Sequence, residues 1–413
     1  MLFRDFVEEL NKRELIAKVD REVNSELEIA QIIKSQGERP ILFTNVMGSD
    51  IFLVSNVCSS RKLLSIGLGI DEKDLLKAII KSIENPIPPE IKRKSGYFEI
   101  EPNLNLLPIP KFYSSDGGRY ITAGIAVIED KEYGLNASYH RAMVIGNDRL
   151  VLRVLPRDFY KYVERGNRRF AFCIGNPISV IISSAISVEI EKSELDIANA
   201  LYPINLIDFD GILAPEAEIV IICEITGEEK EEGPFVDITQ TLDIVRKQPV
   251  ARVEKIYVKK NPLFHAILPA GYEHRLIMGM PREATIYREV AKVCDVIDVS
   301  LSNGGCSWLH GIVKIRKRKE DDGRKAIESA FKGHRSMKHV FVVDEDIDIH
   351  DLSQVEWAMA TRFQGSKDMI VKQEKGSSLD PSADPITRET TKIGFDLTIP
   401  WDRNKKLFEK IEK

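Results

Sequence analysis

Four short stretches concentrate side chains able to do chemistry. In EEGPFVDITQ, Glu232 and Asp237 stand five residues apart across a Gly-Pro turn. That offset holds two carboxylates whose environments can differ, one ionised and the other protonated; read alone, the stretch is equally an acidic loop. GLNASYHRAMVIG places Asn136 five residues before Arg141 at the start of an apolar run, by spacing alone a turn residue and a surface arginine. IISSAISVEIEKSELD puts Ser183, Ser184 and Glu194 after an apolar strand, with Ser193 placed to cap a helix. TRETTKIGFDLT offers Lys392 on a Gly-containing turn near Arg388, suited to a phosphate or simply solvated.

The elements that must position these groups fall into three segments. Residues 1–95 read as α/β: Leu2, Phe3, Phe6, Val7 and Leu10 recur at helical spacing, and PILFTNV and IFLVSNV form a hairpin around MGSD. DLLKAIIKSIE is a helix that must end before Pro86, Pro88 and Pro89. Residues 96–255 switch to short apolar runs, among them TAGIAVIED, RAMVIG, LVLRVL, PISVIIS and AEIVIICEI, separated by Gly, Asp, Asn and Pro. They predict a β-rich barrel or sandwich-like domain. Residues 256–413 return to α/β, with helices through EATIYREVAKVC and GRKAIESAFKG and a strand at VFVVDEDID. The fold class is therefore mixed α+β in three parts.

Composition removes several function classes. The chain has 413 residues with 59 Lys plus Arg against 64 Asp plus Glu, so a nucleic-acid binder relying on a general phosphate field is excluded, while a local basic pocket is not. The longest mostly apolar stretch, 177–190, is interrupted by four serines and Glu189, well short of the roughly 18 apolar residues of a membrane span. Acids at Asp5, Glu8 and Glu9 deny the N-terminus the form of a signal peptide. Five cysteines without CxxC spacing read as reduced thiols, and a cytoplasmic protein is expected.

Taken together, the four stretches match in order, and nearly in spacing, the UbiD-like decarboxylases, which use prenylated FMN. DGGRYITAGIAVIED, LAPEAEIVIICEITG and DEDIDIHDLSQVEWAMATRFQGSKD extend the resemblance over nearly the whole chain. It implies a split-barrel-like flavin-binding domain in the middle and a C-terminal domain that builds a homo-oligomer. It also implies an Arg141 centre flanked by Glu232 and by Asp237 as proton donor. A flavin site would include Asn136, Ala137, Ser138, Arg141, Ser183, Ser184 and Lys392. Metal ligands would be Asn136, Glu194 and, in place of the family's histidine, which LRVLPRDFYKYV lacks, Asp158. Oxygen donors alone suit Mn²⁺ or Mg²⁺, and the family adds K⁺ beside the serines. Two further departures are Val236, where the family has glycine, and Ala137 beside the metal-binding asparagine.

Decarboxylation leaves a carbanion-like centre that ordinary side chains cannot accommodate, so the electron sink must be a cofactor, here supplied by a prenyl-flavin synthase. The likeness within the family is to short members whose substrate is an aliphatic unsaturated acid with a terminal phosphate, trans-anhydromevalonate 5-phosphate, decarboxylated to isopentenyl phosphate. Ala137, His140, Arg153 and Arg157 are compatible with that substrate. His274, in AGYEHR, is compatible with a place at the substrate's edge but is more often a packing residue, and the other histidines are read as packing or surface residues. The alternatives are an aromatic decarboxylase of the 4-hydroxybenzoate type, and a cofactor-free binding or scaffold protein; an intact charge network argues against the latter.

Overall fold

Helix Phe3–Lys12 buries Phe3, Phe6, Val7 and Leu10 on one face, as their spacing predicts. The computed structural model describes residues 1–408, 410 and 411. The two β-rich runs that follow form strands Ile41–Phe43 and Phe52–Ser55, antiparallel, with Ile41 opposite Ser55. Strand Leu263–His265, from more than 200 residues downstream, lies parallel to Phe52–Ser55 in the same four-stranded sheet. The chain divides into two units, Met1–Ile277 and Met278–Lys413, and strand Arg246–Lys259 runs through the division expected at 255.

The first unit is built on a nine-stranded sheet. Its spine is a hairpin of two fourteen-residue strands, Ile219–Glu232 and Arg246–Lys259, paired from Ile219 opposite Val258 to Glu232 opposite Arg246. Along the first of these, Ile219, Ile221, Cys223 and Ile225 face one apolar cluster while Val220 and Ile222 face another. A strand covered on both sides reads as a continuous apolar run rather than an alternating one. Strand Gly134–Tyr139 lies at one edge of the sheet, paired with Ile125–Asp130.

PISVIIS is not the strand its composition suggests. Ile178–Ser183 is a helix entered from Pro177, and all six residues are buried. A run buried all round carries no periodicity, so neither the 2-residue nor the 3.6-residue pattern shows. The helix packs against helix Glu194–Leu201, which packs in turn on strand Gly134–Tyr139. Ser193 does cap helix Glu194–Leu201, its hydroxyl accepting from Leu195 N–H at 3.2 Å.

The second unit is a mixed five-stranded sheet in the order Asp295–Leu301, His310–Arg316, His339–Asp344, Glu389–Asp396, Met369–Lys375. Helices Asp322–Gly333 and Leu352–Arg362 pack on it. Among the described residues no helix is long and apolar enough to cross a membrane, and all five cysteines are free.

Candidate active site

The hairpin Ile219–Glu232/Arg246–Lys259 delivers the acids. Glu232 ends its first strand, wholly buried, and a second, two-residue pairing of Phe235–Val236 with Leu242–Asp243 folds the tip back. Asp237 occupies the turn inside that tip, where its N–H donates to Thr241 O and its carbonyl accepts from Gln240. The tip lies tightly on the DGG stretch: Gly117 N–H donates to Pro234 O at 2.8 Å, and a Cβ at 117 would fall 2.2 Å from Gly233 O. Only glycine allows that approach.

Arg141 comes from just past strand Gly134–Tyr139 and ties the acids together. Its Nε and Nη2 each lie 2.9 Å from an oxygen of Glu232, a bidentate pair, while Nη1 donates to Asp237 Oδ2 at 2.8 Å. Tyr120 adds its hydroxyl to Glu232 Oε1 at 3.1 Å, and Phe235 stacks on the guanidinium with its ring centre 4.5 Å from Cζ. A third acid, absent from the sequence reading, completes the shell: Asp243 Oδ2 accepts from Arg141 Nη2 at 2.7 Å. Burial opposes the charge of Arg141, but its hydrogen bonds to Glu232 and the charges of Asp237 and Asp243 outweigh it and hold the guanidinium above its usual value. Asp243 is likewise opposed by burial, yet Arg246 and Arg141 hold its carboxyl below the usual range.

A second polar group is organised by the alternation of strand Gly134–Tyr139, which turns Asn136 and Ser138 to one face and Ala137 to the other. Asn136 Nδ2 lies 3.2 Å from both oxygens of Glu194, and Ala137 N–H donates to Glu194 Oε2 at 2.9 Å. Ser138 Oγ is 3.1 Å from Asn136 Oδ1 and 3.1 Å from His140 Nε2; its one proton serves one of them at a time. His140 Nδ1 faces Arg153 O at 3.0 Å, and burial lowers the imidazole to about 4, so the ring is neutral and donates through Nδ1. Burial pushes Glu194 up to about 8, against the pull of the Ala137 N–H and with a further push from the charge of Asp158.

Asp158 opens helix Asp158–Glu164 and is 3.5 Å from Lys161. It acts on Glu194 through its charge. Among the described residues no three His, Cys, Asp or Glu side chains converge on a metal position, so a cation here would need Asn136 and ligands from outside the chain. The site nevertheless fits a cation-bridged phosphate. Among the described residues Glu194 has no cationic partner, and Ser184 Oγ, in the segment leaving helix Ile178–Ser183, is buried without a hydrogen bond.

Lys392 requires a correction. It sits inside strand Glu389–Asp396 of the second unit, not on a turn, with its Nζ donating to Arg335 O at 2.6 Å and 3.3 Å from Glu374. The glycine that suggested a turn, Gly394, answers to packing instead: a Cβ there would lie 2.1 Å from Ile327 Cγ2 on helix Asp322–Gly333.

His274 does stand near the arginine network. Ala270 N–H donates to its Nδ1 at 3.0 Å, which leaves Nε2 to carry the proton of the neutral ring. Burial lowers this imidazole, and the charges of Asp237 and Arg141 both act on it. Its neighbour Glu273 is fully buried and accepts from Asn56 N–H, Cys58 N–H and His265 Nε2, which fixes the start of helix Tyr272–Ala291. No sequence signal marked Asp243 or Tyr120, because an acid in an acidic loop and a tyrosine in a strand are both ordinary.

Three family models match the chain: the 3-octaprenyl-4-hydroxybenzoate carboxy-lyase N-terminal domain over residues 7–83, its Rift-related domain over 88–272 and its C-terminal domain over 275–397. The chain therefore belongs to the UbiD family of carboxy-lyases. It is 39% identical over 411 residues to the anhydromevalonate phosphate decarboxylase of Methanothermobacter thermautotrophicus, covering 96% of each chain. The corresponding figures for the anhydromevalonate phosphate decarboxylase of Methanocaldococcus jannaschii are 40% over 423 aligned positions and 98% of each. Among solved structures, the UbiD-class enzyme HmfF from Pelotomaculum thermopropionicum in complex with FMN superimposes with a TM-score of 0.95 at 32% identity, covering 100% of this chain and 97% of that one. An evolved dimeric form of HmfF in complex with prFMN gives 0.91 at 30%, with the same coverage.

Proposed function

We propose that this protein decarboxylates trans-anhydromevalonate 5-phosphate to isopentenyl phosphate and CO2 with prenylated FMN, as a homo-oligomer supplied with its cofactor by a prenyl-flavin synthase. The observation that carries the reading is the buried Arg141–Glu232–Asp237 constellation, in a chain similar along nearly its whole length to enzymes named for that substrate. When bound, the modified flavin supplies the electron sink that decarboxylation demands. Asn136, Ser138, Ser183 and Ser184 would hold its phosphate side, with Glu194 and Asp158 completing an oxygen-donor set for Mn²⁺ or Mg²⁺, and K⁺ beside the serines.

The chain's own residues divide the remaining work. Arg141 orients the substrate carboxylate while clamping Glu232 in a bidentate pair, and Asp237 delivers a proton to the carbon that has lost CO2. Asp237 suits this task better than Glu232. It takes one hydrogen bond from Arg141 and its side chain is 19% exposed, whereas Glu232 takes two and is sealed from solvent.

The test supplies trans-anhydromevalonate 5-phosphate and, separately, 4-hydroxybenzoate to protein produced together with a prenyl-flavin synthase, and measures released CO2. Release from the first alone is expected; release from the second alone would keep the family and overturn the substrate. The cation site has its own check. Glu194→Gln should lose flavin absorbance and bound divalent metal together, since it removes the buried carboxyl group that the site offers a cation; full occupancy of both would take Glu194 out of the site.

A further inference from the structure

The arginine network has a second layer that neither the electron sink nor the proton donor requires. Asp243 Oδ1 accepts from Arg246 Nη1 at 2.8 Å, and Asp243 Oδ2, already bonded to Arg141, lies 3.9 Å from Arg153 Nε. Among the described residues Asp243 is the only acid within ion-pair distance of Arg153 or of Arg246, and the Arg153 side chain donates no hydrogen bond. Three guanidinium groups thus share one carboxylate, and the two outer ones have no other. Both are held in place, with side chains only 18% and 22% exposed. Arg153 is anchored by its backbone, whose N–H donates to Arg141 O and whose carbonyl faces His140. Arg246 stands opposite Glu232 at the end of the long hairpin and also donates to Ile244 O. Burial first, and then the charges of Arg246 and Arg141, hold Arg153 below the usual guanidinium value.

Resting on the substrate reading above, we propose that Arg153 and Arg246, oriented by Asp243, bind the phosphate monoester at the far end of the substrate while Arg141 faces its carboxylate. A planar guanidinium presents paired N–H donors that match two phosphate oxygens, and two such forks share the single carboxylate of Asp243. Arg141 and Arg153 are neighbours. Arg141 Nη2 and Arg153 Nε reach the same oxygen at 2.7 and 3.9 Å, so they are separated by no more than those two lengths laid end to end. The other phosphate in the reaction is the flavin's, and the experiment must tell the two apart.

Arg153→Gln and Arg246→Gln, with Arg153→Lys and Arg246→Lys as variants that keep the charge and lose the fork, are prepared as flavin-loaded protein. Three quantities are read: flavin absorbance, kcat and KM for trans-anhydromevalonate 5-phosphate and for the unphosphorylated acid, and calorimetric binding of isopentenyl phosphate. Each Gln variant is expected to retain flavin and raise KM for the phosphorylated acid by about 10–100-fold, the worth of one hydrogen bond to a charged group. The preference for the phosphorylated over the unphosphorylated acid and the affinity for isopentenyl phosphate should fall by the same factor, with the Lys variants in between. An unchanged preference, or equal losses on both acids, overturns the proposal. Loss of flavin with the preference intact also overturns it and assigns these arginines to the cofactor phosphate. If the wild-type protein releases no CO2 from the phosphorylated acid, the substrate reading fails by itself. The calorimetry then still decides the anion site, which stands if isopentenyl phosphate binds the wild type and not the variants, and falls otherwise.

Discussion

Asp237→Asn should keep the flavin bound while decarboxylation turnover falls by about 10²–10⁴-fold, the usual contribution of a positioned acid or base. The amide has the size of the carboxyl and no proton to give to carbon. Asp237 Oδ2 accepts from Arg141 Nη1, and Oδ1 accepts from Ile238 N–H at 2.6 Å; an amide oxygen can satisfy one of these donors, and its NH2 must face the other. That local mismatch costs about 1–3 kcal/mol, visible as a small drop in melting temperature, and is too slight to empty the site. The measurement is turnover against flavin occupancy in one preparation. Wild-type turnover in the variant would move the proton-donor role elsewhere, first to Glu232.

Arg141→Ala should be worse in kind. Among the described residues Glu232 would keep only the Tyr120 hydroxyl at its carboxylate, and it is completely buried. Removing one partner of a buried charge pair leaves the other uncompensated, at a cost of about 3–5 kcal/mol. The loss has a pH signature. With the guanidinium gone the buried carboxylate of Glu232 is uncompensated, so the cost of the substitution is largest where carboxylates are ionised and shrinks as pH falls towards the unfolded carboxylate value near 4. The wild type behaves oppositely at Asp243, whose lowered folded pKa contributes stability that is lost as pH falls below about 4. Melting curves at pH 7 and pH 5 should show the gap between variant and wild type narrowing at the lower pH. An equal gap at both would mean that the arginine acts through packing against Phe235 and not through its charge. Flavin binding and turnover should both fail at neutral pH, in contrast to the selective loss in Asp237→Asn.

How much of this was open to a reader of the chain differs residue by residue. The Glu232 to Asp237 offset was legible because Gly233 and Pro234 announce a turn, and a turn brings residues five apart to one side of a hairpin tip. The hairpin 41–57 and the helices at 3–12 and 194–201 were legible for the same reason: their signals are local. Helix Ile178–Ser183 was not, because in a segment buried on every side even Ser179 and Ser183 lie inside, so its polar residues mark no exposed face. Lys392 misled because glycine has two uses, and the sequence does not say whether Gly394 is a turn or a place for a helix to come close.

The residue types that can carry protons and bind anions, their order along the chain and the local elements holding each of them are determined by the sequence, since capping, turn chemistry and periodicity act over a few residues. The tertiary structure alone decided that Arg141 meets acids 91, 96 and 102 positions away. It also brought Arg153, just past strand Arg149–Leu152, and Arg246, at the start of strand Arg246–Lys259, to the same carboxylate, and buried Glu194 against Asn136 with no cation beside it among the described residues. The physical reason is that long-range pairing is chosen by burial and strand register summed over the whole sheet, and no single residue carries that sum.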